Sequence, residues 1–168
     1  MGAVIRGRVY YVFDYNDRAL GLSGLGLDVL GRALDLLGVE WLITGMWALR
    51  MKGASYEEPR VVWIFNNRFR HSVKSFGGYS VRFFKVRRSL LGFGFERLGG
   101  LNVADVERAV LDIVYHAMAA PEADPMEWRY IVAGLLKPCR VEKLEEYLPR
   151  YPRYVREAVE HGRRAAGI

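Results

Sequence analysis

The stretch VADVERAVLDIVYHAM, residues 103–118, is the most regular part of the chain and constrains its fold most strongly. Asp105 stands where a helix N-cap is expected, and Glu107 suits the positive end of a helix dipole. An apolar stripe at helical spacing follows, made of Val106, Ala109, Val110, Ile113, Val114 and Ala117. The pattern predicts an amphipathic helix whose stripe lies in the core. Asp112 and His116 stand four residues apart on another face, where we expect a weak pair.

Strand-like segments precede this helix and helical segments follow it. The predicted strands cover residues 4–13 with a break at Gly7, 39–44, 60–65, 79–86 and 101–104. Further helices are predicted over residues 28–37, 46–52, 126–136, 141–148 and 152–165. Residues 66–78 are predicted to be a polar loop, with a frayed strand inside it as an alternative, and residues 87–100 a loop rich in Leu, Phe and Gly. This order predicts an α+β fold, with a small mixed or antiparallel sheet, helices packed on it and a helical C-terminal tail.

The 168 residues are enough for one compact unit with small appendages. We expect a wing-like β-hairpin over residues 1–15, a linker and helix over 16–38, an α+β core over 39–120 and a helical part over 121–168. No apolar run is long enough to span a bilayer, and the N-terminus lacks the apolar region of a signal peptide. The sequence therefore predicts a cytoplasmic protein with no membrane partner. Its oligomeric state stays open.

The net charge of +6 comes from one segment. Residues 1–59 and residues 103–168 each carry a net charge of −1, whereas residues 60–102 carry +8. No acidic residue occurs between Arg60 and Arg88. The candidate nucleic-acid contacts are Arg68, Arg70, Lys74, Arg82, Lys85, Arg87 and Arg88, with Arg6 and Arg8 as further contacts from the hairpin.

Three interpretations of this basic segment stay open. A local excess of positive charge attracts phosphates whatever the nucleotide sequence, which favours a basic β-face that binds DNA. The same charge could dock an acidic protein. It could also be a solvated surface of a thermophilic protein, because Gln is absent and Arg outnumbers Lys twenty to five.

Four motifs in the middle of the chain resemble the C-terminal domain of AbiEi-type antitoxins, the transcriptional regulators of type IV abortive-infection toxin–antitoxin pairs. The motifs are WLITGMWALRMKG, PRVVWIF, GYSVRFFKV and LLGFGFERLGGLNVADVERAVLDIVYHA. Trp47, Ala48, Leu49 and Gly53 match the first family element, and Leu91, Gly92 and Phe93 match its turn. Val103, Ala104, Asp105, Glu107, Ala109, Leu111 and Asp112 match its last and most specific element. The resemblance covers about residues 40–150.

The resemblance implies a non-enzymatic regulator that binds nucleic acid, a cognate nucleotidyltransferase toxin, or both. Family members carry an N-terminal winged helix-turn-helix, and IRGRVYYVF is similar to its closing wing strands. The helices that precede the wing in the family are not found before this segment, so the sequence predicts a truncated winged domain. We therefore expect poor discrimination between DNA sequences.

Two alternatives belong to other functional classes. The order of LITGMWALRMKG and RVVWIF is similar to the nucleotidyltransferase layout, in which carboxylates at the end of the strand hold Mg²⁺. Asn66 and Asn67 stand there instead, and Glu57 and Glu58 precede the strand, so this alternative is a catalytically dead relative. No other catalytic residue, metal site or cofactor site is predicted, because Cys139 is the only cysteine and the three histidines lie far apart.

The second alternative is a protein-interaction module that binds no nucleic acid. It predicts that the large aromatic residues Trp41, Trp47, Trp63 and Phe93 belong to the core.

Overall fold

The fold is α+β with a mixed sheet, as the order of predicted elements indicated. The computed structural model describes residues 2–5, 8–11, 27–76, 79–120 and 123–168. The chain divides into two compact units. The first, the sheet unit, holds residues 1–43 and 59–103, and the second, the helical unit, holds residues 44–58 and 104–168. That the chain forms one compact unit overall stays a prediction.

The described residues form eight strands. They are β1 (Gly2–Ile5), β2 (Arg8–Tyr11), β3 (Trp41–Thr44), β4 (Val61–Asn66), β5 (His71–Phe76), β6 (Tyr79–Lys85), β7 (Phe95–Leu98) and β8 (Leu101–Ala104). Strands β1 and β2 make a separate antiparallel hairpin, and the others form one sheet in the order β5-β6-β4-β3-β8-β7. The pairs β4–β6 and β3–β8 are parallel, whereas β5 and β6 are antiparallel.

Both segments predicted to be loops contain an edge strand, which was an alternative for residues 66–78, whereas the loop prediction for residues 87–100 was wrong. Strand β5 lies within the segment 66–78, and β7 lies within 87–100 after a 3₁₀ turn at Arg88–Leu90. Neither strand has the continuous apolar run that made β4 recognisable. An edge strand pairs on one side only, so its side chains need not be apolar.

Helix α1 (Leu27–Leu36) packs closely against β3 within the sheet unit. A Cβ atom at Gly31 would lie 2.9 Å from the Trp41 ring, so the absence of a side chain allows this approach. Trp41 is buried, as predicted, whereas Trp47, Trp63 and Phe93 are half-buried.

The helical unit is built around the helix that the sequence singled out. Its helices are α2 (Met46–Met51), α3 (Val106–Ala117), α4 (Pro125–Leu136), α5 (Val141–Tyr147) and α6 (Arg153–Ala166), with a 3₁₀ turn at Leu148–Arg150. Helix α3 contacts each of the other four, and α4 packs along α6. None of the described helices is long and apolar enough to cross a membrane.

The predicted cap and the centre of the predicted stripe of α3 are confirmed. The Asp105 side chain accepts a hydrogen bond from the Arg108 amide over 2.9 Å. Ala109, Val110 and Val114 are buried, and the remaining stripe residues are half-buried.

The opposite side of α3 is also buried, which the sequence did not predict. Arg108 and Asp112 have fully buried side chains and form an ion pair of 2.8 Å. The carboxylate of Asp112 also accepts hydrogen bonds from the hydroxyls of Thr44 (2.7 Å) and Tyr151 (2.6 Å). Burial raises the pKa of Asp112, although Arg108 and the two hydroxyl donors counteract this shift. The weak pair between Asp112 and His116 stays a prediction, and the structure adds that this carboxylate lies inside the protein.

Two more acidic groups at the start of α3 bind the elements that follow it. The carboxylate of Asp105 accepts from the Lys143 ammonium and the Tyr147 hydroxyl, each over 2.8 Å. Buried Glu107 accepts from the backbone amide of Arg140 (2.9 Å) and from its guanidinium (3.1 Å). The acidic residues of this motif are therefore structural contacts between α3 and α5.

Removing the carboxylate of Asp105 should cost more stability than removing an isolated cap. Asp105→Ala removes the cap and leaves the buried Tyr147 hydroxyl without its acceptor, so we expect a loss of about 2–3 kcal/mol in the free energy of unfolding. Asp124→Ala is the matched control, because the exposed Asp124 caps α4 through the Met126 amide. The control should lose about 1 kcal/mol or less. Urea unfolding measures both, and equal losses would show that the Tyr147 contact contributes nothing.

The contact between α4 and α6 should be sensitive to a single methyl group. A Cβ atom at Gly162 would lie 2.6 Å from a Val132 methyl and 3.2 Å from the Ala133 amide nitrogen. We expect Gly162→Ala to lower the free energy of unfolding by about 1–3 kcal/mol, as overpacked cores do. A Cβ atom at Gly134 on α4 would meet nothing within 4 Å.

The control variant Gly134→Ala should therefore raise stability by about 0.5–1 kcal/mol through helix propensity alone. Thermal melts of the two variants beside the wild type give the comparison. If the melting temperature of Gly162→Ala equals or exceeds that of Gly134→Ala, the close contact between α4 and α6 is contradicted.

Candidate nucleic-acid interface

Asn66, the last residue of β4, organises the loop that carries two of the predicted basic contacts. It is buried, and its side-chain oxygen accepts from the amides of Arg68 (2.9 Å) and Phe69. Its side-chain nitrogen donates to the carbonyls of Phe69 (3.0 Å) and Phe84 (3.2 Å). Asn is suited to such turns because its short amide reproduces backbone hydrogen bonding. The loop bearing Arg68 and Arg70 is thereby tied to the end of β6.

Strands β4 and β6 end at the same edge of the sheet because they are parallel and in register. Asn66 pairs with Lys85, and the Val86 amide extends the ladder by donating to the Asn66 carbonyl over 2.8 Å. The residues that follow both strands therefore emerge side by side. We call this group the basic edge; its members are Arg68, Arg70, Lys85, Arg87 and Arg88.

The start of β3 lies at the same edge. The Asn67 amide donates to the Glu40 carbonyl over 3.2 Å, and the Asn67 side-chain oxygen accepts from the Glu40 amide over 3.3 Å. Since β3 starts where β4 ends, the two strands run antiparallel. Glu40 is consequently the carboxylate nearest to Arg88 among the described residues, at 3.8 Å.

The cations of the basic edge are exposed, and their contacts with the rest of the sheet unit are weak. Arg68 donates to the Leu37 carbonyl over 3.4 Å, and Arg88, whose side chain is 80% exposed, makes a long contact of 3.8 Å with Glu40. Within the described part of the chain, Arg70, Lys85 and Arg87 have no ion pair. Exposed cations held at the ends of two rigid strands can meet phosphates without first breaking internal salt bridges.

The other predicted contacts lie elsewhere. Arg82 lies on a face of β6, where its guanidinium covers the Phe84 ring at 4.8 Å, and Phe84 packs edge-on against Trp63 at 5.3 Å. Lys74 belongs to β5 and pairs with Val81, away from the strand ends. Arg6 lies outside the described residues, as do the side chains of Arg8 and Lys74. The positive charge thus gathers at a sheet edge, whereas the sequence indicated a β-face.

The sequence reasoning missed the residues that build this edge, namely Glu40, Asn66 and Asn67. The sequence places both asparagines at the start of the predicted polar loop and indicates replaced metal-binding carboxylates, but it does not indicate that they anchor the loop. A pair of asparagines directly after an apolar strand is, however, a turn signal, and that signal was present in the sequence.

Two features of the described part of the chain concern catalysis. There, no group of three or more His, Cys, Asp or Glu side chains could hold a metal ion. Burial, and then the Glu107 carboxylate, raise the pKa of Cys139 to about 12, so this thiol stays protonated at neutral pH. A protonated thiol is a poor nucleophile.

No family model, no curated protein and no solved structure matches the chain. The resemblance to AbiEi-type antitoxins therefore stays a prediction, which depends on the motifs that suggested it. What the chain does has to be argued from the geometry of its own residues, and the basic edge is the most distinctive charged feature of the described structure.

Proposed function

We propose that this protein is a non-enzymatic, antitoxin-like regulator that binds nucleic acid through the basic edge. The observation that carries the proposal is the convergence of five cations at the ends of two parallel strands. Of these, Arg70, Lys85 and Arg87 form no ion pair with any described residue, and Glu40 is the carboxylate that approaches the group. Such a concentration of positive charge attracts a polyphosphate backbone without reading its sequence.

Four of the five cations are arginines, a side chain that is suited to binding phosphate groups. A guanidinium presents a planar fork of donors that matches two phosphate oxygens at once. Its positive charge is also permanent, so the attraction does not fade within the physiological pH range.

The regulatory role and the partner come from the resemblance. Antitoxins of that family act with a nucleotidyltransferase toxin, and the proposed partner of this chain is a toxin of that class. The most specific motif of the resemblance builds the start of α3, where Asp105 and Glu107 bind α5. This supports a stable helical unit that can present a surface to a partner.

An acidic protein partner is the competing use of the same edge. The two uses differ in what neutralises the cations: a nucleic acid releases a condensed layer of counterions, whereas a folded acidic protein carries no such layer. The salt dependence of binding therefore separates them.

Binding to duplex DNA of arbitrary sequence should be weak and strongly dependent on salt. Each phosphate neutralised steepens the log–log dependence of affinity on salt by about 0.9, so three to five contacts predict a slope of about −3 to −4.5. Affinity at physiological salt should be roughly micromolar or weaker, as for non-specific binding. Fluorescence anisotropy of a labelled duplex at several salt concentrations measures both quantities.

A triple charge reversal gives the matched comparison. Arg70→Glu, Lys85→Glu and Arg87→Glu together should flatten the slope and leave the melting temperature nearly unchanged, because exposed charges contribute little to stability. The control reverses Arg60, Lys137 and Arg156, which are exposed and lie outside the basic edge, and changes the net charge equally. If wild type binds no DNA even at low salt, or if the control loses binding as fully as the test variant, the basic edge is not a nucleic-acid site.

The proposal also predicts that the protein transfers no nucleotide. Incubation with labelled nucleoside triphosphates, Mg²⁺ and RNA should give no labelled product, because Asn66 and Asn67 occupy the positions where metal-binding carboxylates are required. A product that disappears in the Asn67→Ala variant would contradict the non-enzymatic assignment.

A further inference from the structure

A cleft of about 290 Å³ lies beside the basic edge within the sheet unit. Its walls include Trp41, Leu91 and the ring of Phe95, which is 37% exposed. Its polar groups are Glu40, Arg88 and Asn102. Arg88 therefore belongs both to the cleft and to the basic edge, and a ligand that enters the cleft has phosphate-binding cations directly beside it.

The wall around Trp41 is held rigidly by a chain of hydrogen bonds. The indole nitrogen of Trp41 donates to Asp35 over 2.8 Å, and Arg97 donates to the other oxygen of Asp35 over 2.7 Å. Arg97 also donates to Asn102 over 3.0 Å, and Asn102 donates to the Trp41 carbonyl over 2.9 Å. Asn102 and Arg97 thus have hydrogen-bond partners within the sheet unit. The Trp41 wall of the cleft is thus held in place before a ligand arrives, which reduces the entropic cost of binding.

Glu40 is the acceptor at the cleft with unused capacity. Its side chain is 54% exposed, and both of its side-chain contacts, with Asn67 at 3.5 Å and Arg88 at 3.8 Å, are long and reach the same oxygen, Oε2. No described residue donates to Oε1. A carboxylate can accept two parallel hydrogen bonds, so Glu40 is suited to a ligand that presents two adjacent donors.

We propose that the cleft binds one unpaired guanine of a single-stranded nucleic acid whose phosphates lie along the basic edge. The inference rests on the proposed function, since the same edge binds the backbone. The Watson–Crick edge of guanine presents its N1–H and N2 amino donors side by side, which matches the two oxygens of Glu40. Adenine and cytosine place an acceptor beside their donor, and thymine and uracil place a single donor between two acceptors. Phe95 offers an exposed ring on which the base can stack.

The size of the cleft suits one nucleobase, and its acceptors favour a base that is not paired in a duplex. Its volume lies at the lower end of the range for small-molecule sites, which suits one nucleobase. In a duplex the donors of guanine are already paired with cytosine, so the cleft should select a single strand. The duplex would still be held, weakly, by its phosphates at the basic edge.

The test compares labelled nine-nucleotide DNA strands in fluorescence anisotropy, each of thymidines with one central base varied. The strand with guanine should bind about tenfold more tightly than the strand with thymine or adenine, as expected for one bidentate contact to a base. Hypoxanthine, which keeps N1–H and lacks the N2 amino group, should give an intermediate affinity. Annealing the guanine strand to its complement should remove the preference.

Variants tie this preference to the cleft. Glu40→Gln keeps the size of the side chain but replaces one acceptor with a donor. This variant should therefore abolish the preference, so that the strands with guanine and thymine bind about equally. Glu142→Gln removes the same charge from an exposed position on α5, outside the cleft, and should keep the preference. Melting temperatures confirm that both variants are folded. Phe95→Ala should weaken every strand about equally, because stacking does not depend on which base is present.

The outcomes separate this inference from the proposed function. Equal binding of all strands, with the salt dependence of the basic edge intact, overturns the guanine site and leaves the proposed function standing. Absence of binding to every strand and to the duplex overturns both. Free guanosine monophosphate that competes as well as the guanine strand would show a mononucleotide site and would overturn the single-strand assignment.

Discussion

The amide of Asn66 is the constraint on which the basic edge depends. It accepts from two amides of the following loop and donates to two carbonyls, one in that loop and one on β6. A side-chain amide can do both, whereas a carboxylate has no hydrogen to donate at neutral pH. An Asp at this position would lose both donated bonds and would add a buried charge. Asn66 thus fixes the backbone that carries the exposed cations at the end of β4.

Two sets of charged residues, one in each unit, are used in different ways. In the helical unit, Asp112, Arg108 and Glu107 are buried and fully engaged, and they specify how α3 meets its neighbours. A buried pair contributes little net stability compared with apolar residues, but breaking it leaves an uncompensated charge. In the sheet unit, the cations after β4 and β6 stay exposed and contribute little to stability. A surface that is free of a structural role is available for binding.

The sequence predicted the elements whose signals are local and missed those that depend on distant partners. The cap at Asp105, the stripe of α3 and the apolar run of β4 were all readable from neighbouring residues. The sequence indicated β5 only as a frayed strand inside a loop, because its side chains are mostly polar, and its pairing with β6 became visible only in the fold. To predict the basic edge, one would have to know that β4 pairs directly with β6 in parallel, and no local sequence pattern shows this pairing. To predict the burial of Asp112, one would have to know that Tyr151, which is 39 residues away in sequence, donates a hydrogen bond to it.

The carboxylate of Asp112 has a consequence for how this sequence can diverge. Three side chains converge on it, from Thr44, Arg108 and Tyr151, which belong to three separate parts of the chain. Losing any one of them leaves buried polar groups without partners, whereas exchanging the whole set for apolar residues of similar volume can be tolerated. Substitutions at these four positions are therefore coupled. Homologous chains should either keep all four polar residues or replace them together, and that covariation would mark the helical unit in an alignment of sequences alone.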